Sequence, residues 1–306
     1  MAAAILACPG LSGTVPGTVA PEPEGTSPAR HRGMPGLENV HDLGHGILCG
    51  GGPQGDAGFA ALEAMGVRTL LSVDGMEPDL ERARGHGMRY VHVPIGYDGV
   101  GTNALRRLAK AVSTLPGPFY IHCHHGRHRG PAAAAAVARA LHRWTAPQAS
   151  AWLATAGTDP RYGGLHRDAT NAQPFPPDEI ARIADPLPER TPVEPLVRTM
   201  VAVDHEFEAL RSLRGNAFGP SSEAAAASAM ATRLSELFRE AARLDGSGPA
   251  GAELRHGLTE AAEEASRLAA QLGTSHDPSD TEKTFKKLTE SCVRCHRSHR
   301  DPPATP

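Results

Sequence analysis

Two hydrophobic periodicities divide the chain. Between Gly46 and Cys123 short apolar runs recur at strand length, and the segments separating them carry apolar residues at helical spacing. Runs at 46–50, 68–73, 88–94 and 118–123 predict strands, and the stretch from Met88 to Pro94 alternates apolar and polar positions. Helices are predicted near 56–65, 77–85, 102–115, 130–143 and 146–155. Such alternation implies an α/β domain with a central, mostly parallel sheet of four or five strands flanked by helices. Beyond Pro195 only the helical period remains. Leu196, Met200, Val203, Phe207 and Leu210 share one face of a helix ending near 214, and Met230, Leu234, Leu237 and Phe238 mark a second over about 222–244. A third covers roughly 253–272. The fourth, opened by Asp277-Pro-Ser-Asp280, carries Phe285, Leu288, Cys292 and Cys295 along one side. The second half is therefore expected to be an all-α antiparallel four-helix bundle.

Composition sets the boundaries. With 306 residues the chain holds two domains of ordinary size, and its 27 prolines and 33 glycines imply long connectors. Residues 1–36 read as a disordered leader or truncated export signal, 37–172 as the α/β domain and 173–195 as a proline-rich linker. Residues 196–301 read as the helical bundle and 302–306 as a tail. A net charge of −3 offers no broad basic field, so nucleic acid is not an expected partner. No stretch is long and apolar enough for a membrane-spanning helix.

The densest chemistry lies in His122-Cys-His-His-Gly-Arg-His-Arg-Gly130. A buried strand precedes this run, and a helix made mostly of alanine follows it. Strand, loop and helix N-terminus form a layout that binds phosphate through backbone N–H groups. A cysteine reacts as its thiolate, a form favoured at a helix N-terminus beside cationic groups. Here the neighbours are Arg127, Arg129 and the four histidines His122, His124, His125 and His128. Arg129 supplies a planar fork for two phosphate oxygens. Gly126 suits a close backbone bend, and Pro131 falls in the first helical turn, where a missing N–H costs nothing.

His122, Cys123, Gly126 and Arg129 match, in order, the signature of the cysteine-dependent protein tyrosine and dual-specificity phosphatases, which this region resembles over roughly 36–185. The resemblance implies that Cys123 attacks phosphorus to form a phosphocysteine while Arg129 and the loop amides hold the oxygens. His124, His125, Gly126, Arg127 and His128 would line the substrate site, and the substrate would be a phosphorylated protein or a small phosphomonoester. The leaving oxygen needs an acid. Asp98, in a glycine-rich loop after the strand ending at Pro94, is the first candidate, and Asp74, after the strand ending at Val73, is the second. Either aspartate also suits a helix cap. Gly130 departs from the family, which usually carries a hydroxyl there that assists breakdown of the phosphocysteine. A non-catalytic, phosphate-binding domain is therefore the competing reading.

A second motif sits near the other end. Cys292-Val-Arg-Cys-His296 is C-x-x-C-H, the attachment pattern for covalent haem, in which both thiols bond the haem and His296 ligates iron. The alternative is half a zinc site, for which His299 and His276 are the other nearby ligands. Together with the four predicted helices, the motif resembles the cytochrome c-prime and c-556 family, and Arg300 also suits that pattern. The resemblance implies haem c as cofactor and a redox partner, and it allows a homodimer through the bundle. In related bundles a methionine on the first helix can supply the second axial ligand. Met200 is placed for that role, and equally for ordinary core packing. His205 lies off the apolar stripe and reads as solvated.

Haem attachment of this kind implies an extracytoplasmic, periplasmic location in a bacterium. Met1 to Cys8 makes a poor signal peptide, but Ile5-Leu-Ala-Cys8 resembles a lipoprotein cleavage box, with Cys8 as a possible lipid anchor. Of the five cysteines this leaves Cys49, either a small buried apolar residue or a redox partner of Cys123. The reading that follows is a phosphomonoester hydrolase fused to a haem-binding cytochrome domain. The alternative is an electron-transfer or gas-sensing cytochrome with a non-catalytic anion-binding domain.

Overall fold

Six strands form one mixed sheet in the computed structural model, which describes residues 29–31, 33–141, 143–214, 221–244, 249–274 and 278–300. They are β1 (Ala29–Arg30), β2 (His41–Asp42), β3 (Ile47–Gly51), β4 (Thr69–Ser72), β5 (Arg89–His92) and β6 (Phe119–Cys123), in spatial order β1-β2-β3-β6-β4-β5. The last four in that order after β2 run parallel, and β1 and β2 add antiparallel at one edge. The four expected strands are the parallel part of the sheet, and β1 and β2 bring the number of strands to six, beyond the four or five expected. Two-residue strands are too short to leave a periodic signal. The pairing of Ala29–Arg30 also takes part of the expected leader into the sheet. Residues 1–28, with Cys8, and the tail from 301 lie outside the described residues.

Helices α1 (Gly55–Ala64), α2 (Leu80–Gly85) and α3 (Thr102–Thr114) connect the parallel strands. After β6 come α4 (Arg129–Ala140), α5 (Ala146–Ala156) and α6 (Gly163–Asn171). Helix α4 is buried on every side along Ala132 to Ala138. Alanine makes this possible: with no bulk beyond Cβ, the helix lies close against β6 while α3, α5 and α6 pack around it. Trp152 of α5, also buried, donates its indole N–H to the Pro131 carbonyl at 3.0 Å and so fixes the start of α4. Helix α6 lies beyond the five helices expected for this domain.

The segment 173–195 is not a free linker. It contains α7 (Pro177–Arg182), whose Ile180 is buried, as is Ile183 just beyond it. It then runs beside the edge strand: the His92 N–H donates to the Pro188 carbonyl at 2.8 Å, and the Thr191 hydroxyl donates to the His92 carbonyl at 2.6 Å. Covering the edge of β5 satisfies backbone groups that would otherwise face solvent or another chain.

Four further helices follow: α8 (Pro195–Arg214), α9 (Ser221–Leu244), α10 (Pro249–Gly273) and α11 (Pro278–Cys295). They share one apolar core that includes Val203, Leu210, Leu234, Phe238, Leu258, Leu268, Phe285 and Leu288. Met200 and Cys292 pack at its margin. Helices α8 and α11 meet through the stacked rings of Phe207 and Phe285, 5.4 Å apart, and an ion pair between Arg214 and Glu282. The start of α8 abuts the α/β domain, where Glu77 reaches Arg190 and Arg198 at 3.5 Å each. Among the described residues no helix is long and apolar enough to cross a membrane.

Candidate active site

Cys123 is the last residue of β6, the strand flanked by β3 and β4, so it stands at the carboxyl edge of the parallel strands. Open α/β sheets place ligands at this edge. The chain then turns through 124–128 and enters α4 at Arg129. Gly126 adopts φ 67°, and a Cβ there would collide with the backbone of Gly50 and Gly51, so only glycine fits.

The polarity of this turn is its main property. Its carbonyls are occupied from outside: that of His124 accepts from the Gly52 N–H at 3.0 Å, and that of His125 from Asn39 Nδ2 at 2.8 Å. The Arg127 carbonyl accepts from the Thr158 hydroxyl at 2.7 Å, and the His128 carbonyl from the Ala132 N–H at 3.1 Å. Among the described residues, no N–H from His124 to His128 donates to an acceptor. A run of amides without acceptors at a helix N-terminus is an anion cradle.

Arg129 closes the cradle. Its Nη2 donates to Asp74 Oδ1 at 2.9 Å, its Cζ lies 4.8 Å from the ring centroid of Tyr97, and both charged side chains are buried. Burial opposes the charge, yet the Asp74 carboxylate outweighs it and holds the guanidinium above its ordinary pKa. The buried Nε has no partner among the described residues. Asp74 is itself positioned by the Gly75 N–H, which donates to Oδ1 at 2.7 Å. His92 links this corner to the strap: its Nδ1 accepts from the Thr191 N–H at 3.1 Å while Nε2 donates to the Asp74 carbonyl at 2.9 Å. That tautomer is neutral, as burial also requires.

The histidines do not form the cationic cluster that the sequence suggests. Burial pushes His122 and His128 down to about 4 and lowers His124 as well. Only His125 is raised, by Asp204 on α8. His128 Nδ1 accepts from the Asp159 N–H at 3.2 Å. The positive charge beside Cys123 is therefore chiefly that of arginine.

Asp98 lies on the loop after β5, next to Tyr97, with its side chain exposed. Its carbonyl accepts from Arg167 Nη2 at 3.3 Å, and the neighbouring Gly101 N–H donates to Asp168 Oδ2 at 3.1 Å, which ties the loop to α6. Arg127 is exposed at the rim. Cys49 is buried in β3, its thiol pushed up by burial and then by the nearby Cys123; both thiols are free.

Cys292 and Cys295 end α11 one helical turn apart, both as free thiols, and burial raises the Cys292 thiol to about 11. His296 opens a π-helical turn, His296–Arg300, that leads back to the candidate active site. Arg300 Nη2 donates to the Tyr162 hydroxyl at 2.9 Å, and Arg300 Cζ sits 4.5 Å from the Tyr97 ring centroid. His276 lies outside the described residues. Among those residues no metal-sized group of His, Cys, Asp or Glu includes Cys292 or Cys295. His205 is exposed, but it faces the loop rather than bulk water alone, with its ring centroid 6.5 Å from that of His124.

Three residues of the site were missed or ranked low from sequence. Asp74 was the second-ranked acid, and its adjacency to Arg129 depends on the order of β4 and β6. Tyr97 and Asp204 carry no local signal at all.

No family model matches the chain, and no curated protein matches it. Solved structures do. The core catalytic domain of the PP-IP phosphatase SIW14 from S. cerevisiae, in complex with citrate, matches at 20% identity and a TM-score of 0.41, covering 48% of this chain and 91% of that one. A DUF442 protein from Shewanella putrefaciens CN-32 matches at 16% identity and a TM-score of 0.38, covering 46% and 97%. TpbA of P. aeruginosa matches at 19% identity and a TM-score of 0.32, covering 45% and 98%.

Proposed function

We propose that the α/β domain is a cysteine-dependent phosphomonoester hydrolase. The observation that carries this reading is the loop itself: outward-bound carbonyls and, among the described residues, amides without acceptors and a buried Arg129 Nε without a partner, all beside Cys123. These donors suit the three equatorial oxygens of a phosphoryl group in transfer. Cys123 Sγ attacks phosphorus, and an S–P bond forms as the P–O bond to the leaving group breaks. Asp98 gives its proton to the departing oxygen. Its carboxylate then takes a proton from water, which attacks phosphorus, cleaves the S–P bond and releases phosphate. Phosphorylated proteins and small phosphomonoesters are the substrate class. The test is hydrolysis of an aryl phosphate by the purified protein beside Cys123→Ser. Turnover that vanishes in the variant supports the reading, and turnover that persists rejects it.

Gly130 favours a second reading, in which the domain binds phosphate without turning it over, because the residue after Arg129 carries no hydroxyl. An unaltered protein that binds phosphate yet hydrolyses nothing would establish it.

We further propose that Cys292, Cys295 and His296 hold a covalent haem. The donor set fits: two unpaired thiols one turn apart, a histidine directly after them, and Cys292 at the margin of the apolar core with Met200 available as a second iron ligand. A haem there would supply an iron that changes oxidation state or takes a small gas. The four helices would then be a cytochrome domain with a redox partner, able to pair with a second copy. Such attachment goes with a periplasmic location, with Cys8 as the point of a lipid anchor. A mass increase of one haem, lost in Cys292→Ala/Cys295→Ala, tests the attachment; its absence after expression with haem-maturation machinery rejects it.

A further inference from the structure

His124, His125 and Asp204 converge from two domains although they are remote in sequence. Asp204 Oδ2 lies 3.4 Å from His125 Nε2 and 3.7 Å from His124 Nε2, and one ligand atom from each residue falls within 4.8 Å of the others. The second distance is too long for a hydrogen bond and the first is at its limit. Both are close to the edge of a tetrahedron whose centre makes bonds of about 2.1 Å to nitrogen and oxygen, an edge of roughly 3.4 Å. We propose that these three side chains form a site for a divalent transition-metal ion of the zinc class, joining the loop at 124–128 to α8.

The orientation of both rings supports the assignment. Each turns Nε2 toward Asp204 and Nδ1 toward a different carboxylate, Asp74 Oδ2 at 3.8 Å for His124 and Glu38 Oε2 at 3.9 Å for His125. Metal-bound imidazoles usually have a carboxylate on the side of the far nitrogen; at 3.8 and 3.9 Å Asp74 and Glu38 face those nitrogens without hydrogen-bonding to them. The two rings stand nearly perpendicular, 79° apart with centroids at 4.3 Å, so their nitrogens meet without the planes stacking. Two imidazoles and a carboxylate select zinc, cobalt, nickel or copper over magnesium or calcium, which prefer all-oxygen sites. Three protein ligands leave a fourth position for water or an oxygen of a bound phosphate. The site is independent of whether Cys123 acts as a nucleophile.

The test uses the full chain carrying Cys123→Ser, so that this sulfur offers no ligand, dialysed against Co2+ and then Zn2+ with metal counted by mass spectrometry. Asp204→Ala and Asp204→Asn are made in the same background. Asp204 is exposed, and circular dichroism checks that both variants stay folded. Cys292→Ser and Cys295→Ser are added to all three proteins, because Asp204 lies close enough to Cys292 to act on its thiol. The expected result is one equivalent in the parent, with tetrahedral Co2+ absorption bands, and a loss of affinity of at least tenfold in both variants. Equal uptake by parent and variants, or no uptake by the parent, would overturn the site and leave a plain histidine–aspartate ion pair.

Discussion

Arg129 is fastened to Asp74 by a 2.9 Å charged hydrogen bond between two buried side chains. Replacing Asp74 with alanine strands the guanidinium in the interior, a change that costs about 3–5 kcal/mol in comparable buried pairs. Thermal unfolding should register this as a clear fall in Tm. Asp74→Asn keeps an acceptor and should cost less stability, while kcat/KM falls about tenfold or more through a looser Arg129. With Asp98 as the proposed acid and Asp74 as the residue that positions Arg129, the alkaline limb of the pH–rate profile should survive in Asp74→Asn. Its disappearance would move the acid role to Asp74.

Asp98→Asn should behave differently. Loss of a general acid costs about 10²–10⁴-fold when the leaving oxygen is a poor one. An alkyl phosphate should therefore lose far more than an aryl phosphate with an acidic phenol. Equal losses on both substrates would mean that Asp98 serves only the loop.

A Cβ built at Gly130 would meet Cys123 N at 3.1 Å and Sγ at 3.4 Å. Serine there would bring a hydroxyl to the sulfur after a small adjustment, at about 1 kcal/mol of stability. Rapid-quench kinetics on Gly130→Ser should show faster breakdown of the phosphocysteine and a smaller burst. An unchanged burst would mean that water attack does not depend on this position.

Acid should loosen the α/β domain in a definite window. His122 and His128 are held down to about 4 from an ordinary 6.5, both mainly by burial. Between those values the unfolded chain binds protons that the fold refuses, so stability is full above about 6.5 and declines as pH falls toward about 4. His128→Gln, which keeps an acceptor for the Asp159 N–H, should flatten part of that decline in Tm measured across the window. An unaltered slope would place the acid sensitivity elsewhere.

The parallel strands and their helices were legible because burial on both faces leaves continuous apolar runs such as Phe119 to Ile121. The loop at 123–129 was legible because its residues are adjacent in the chain. Pairings across the fold were not. Asp74 meets Arg129 only because β4 lies beside β6, and Asp204 meets the loop only because α8 docks there. The histidines misled for a related reason: sequence shows how many there are, whereas burial decides how many carry a proton. The strap at 173–195 was hidden by its prolines, whose fixed φ suits an edge-hugging chain as well as a flexible one.

Tyr97 receives two guanidinium groups, Arg129 at 4.8 Å and Arg300 at 4.5 Å from its ring centroid. One aromatic plane thus serves as a shared wall between the residue poised for an incoming oxyanion and the turn that follows the C-x-x-C-H helix. The turn that follows the C-x-x-C-H helix therefore shares Tyr97 as a neighbour with Arg129, and it is held there by Tyr162 as well.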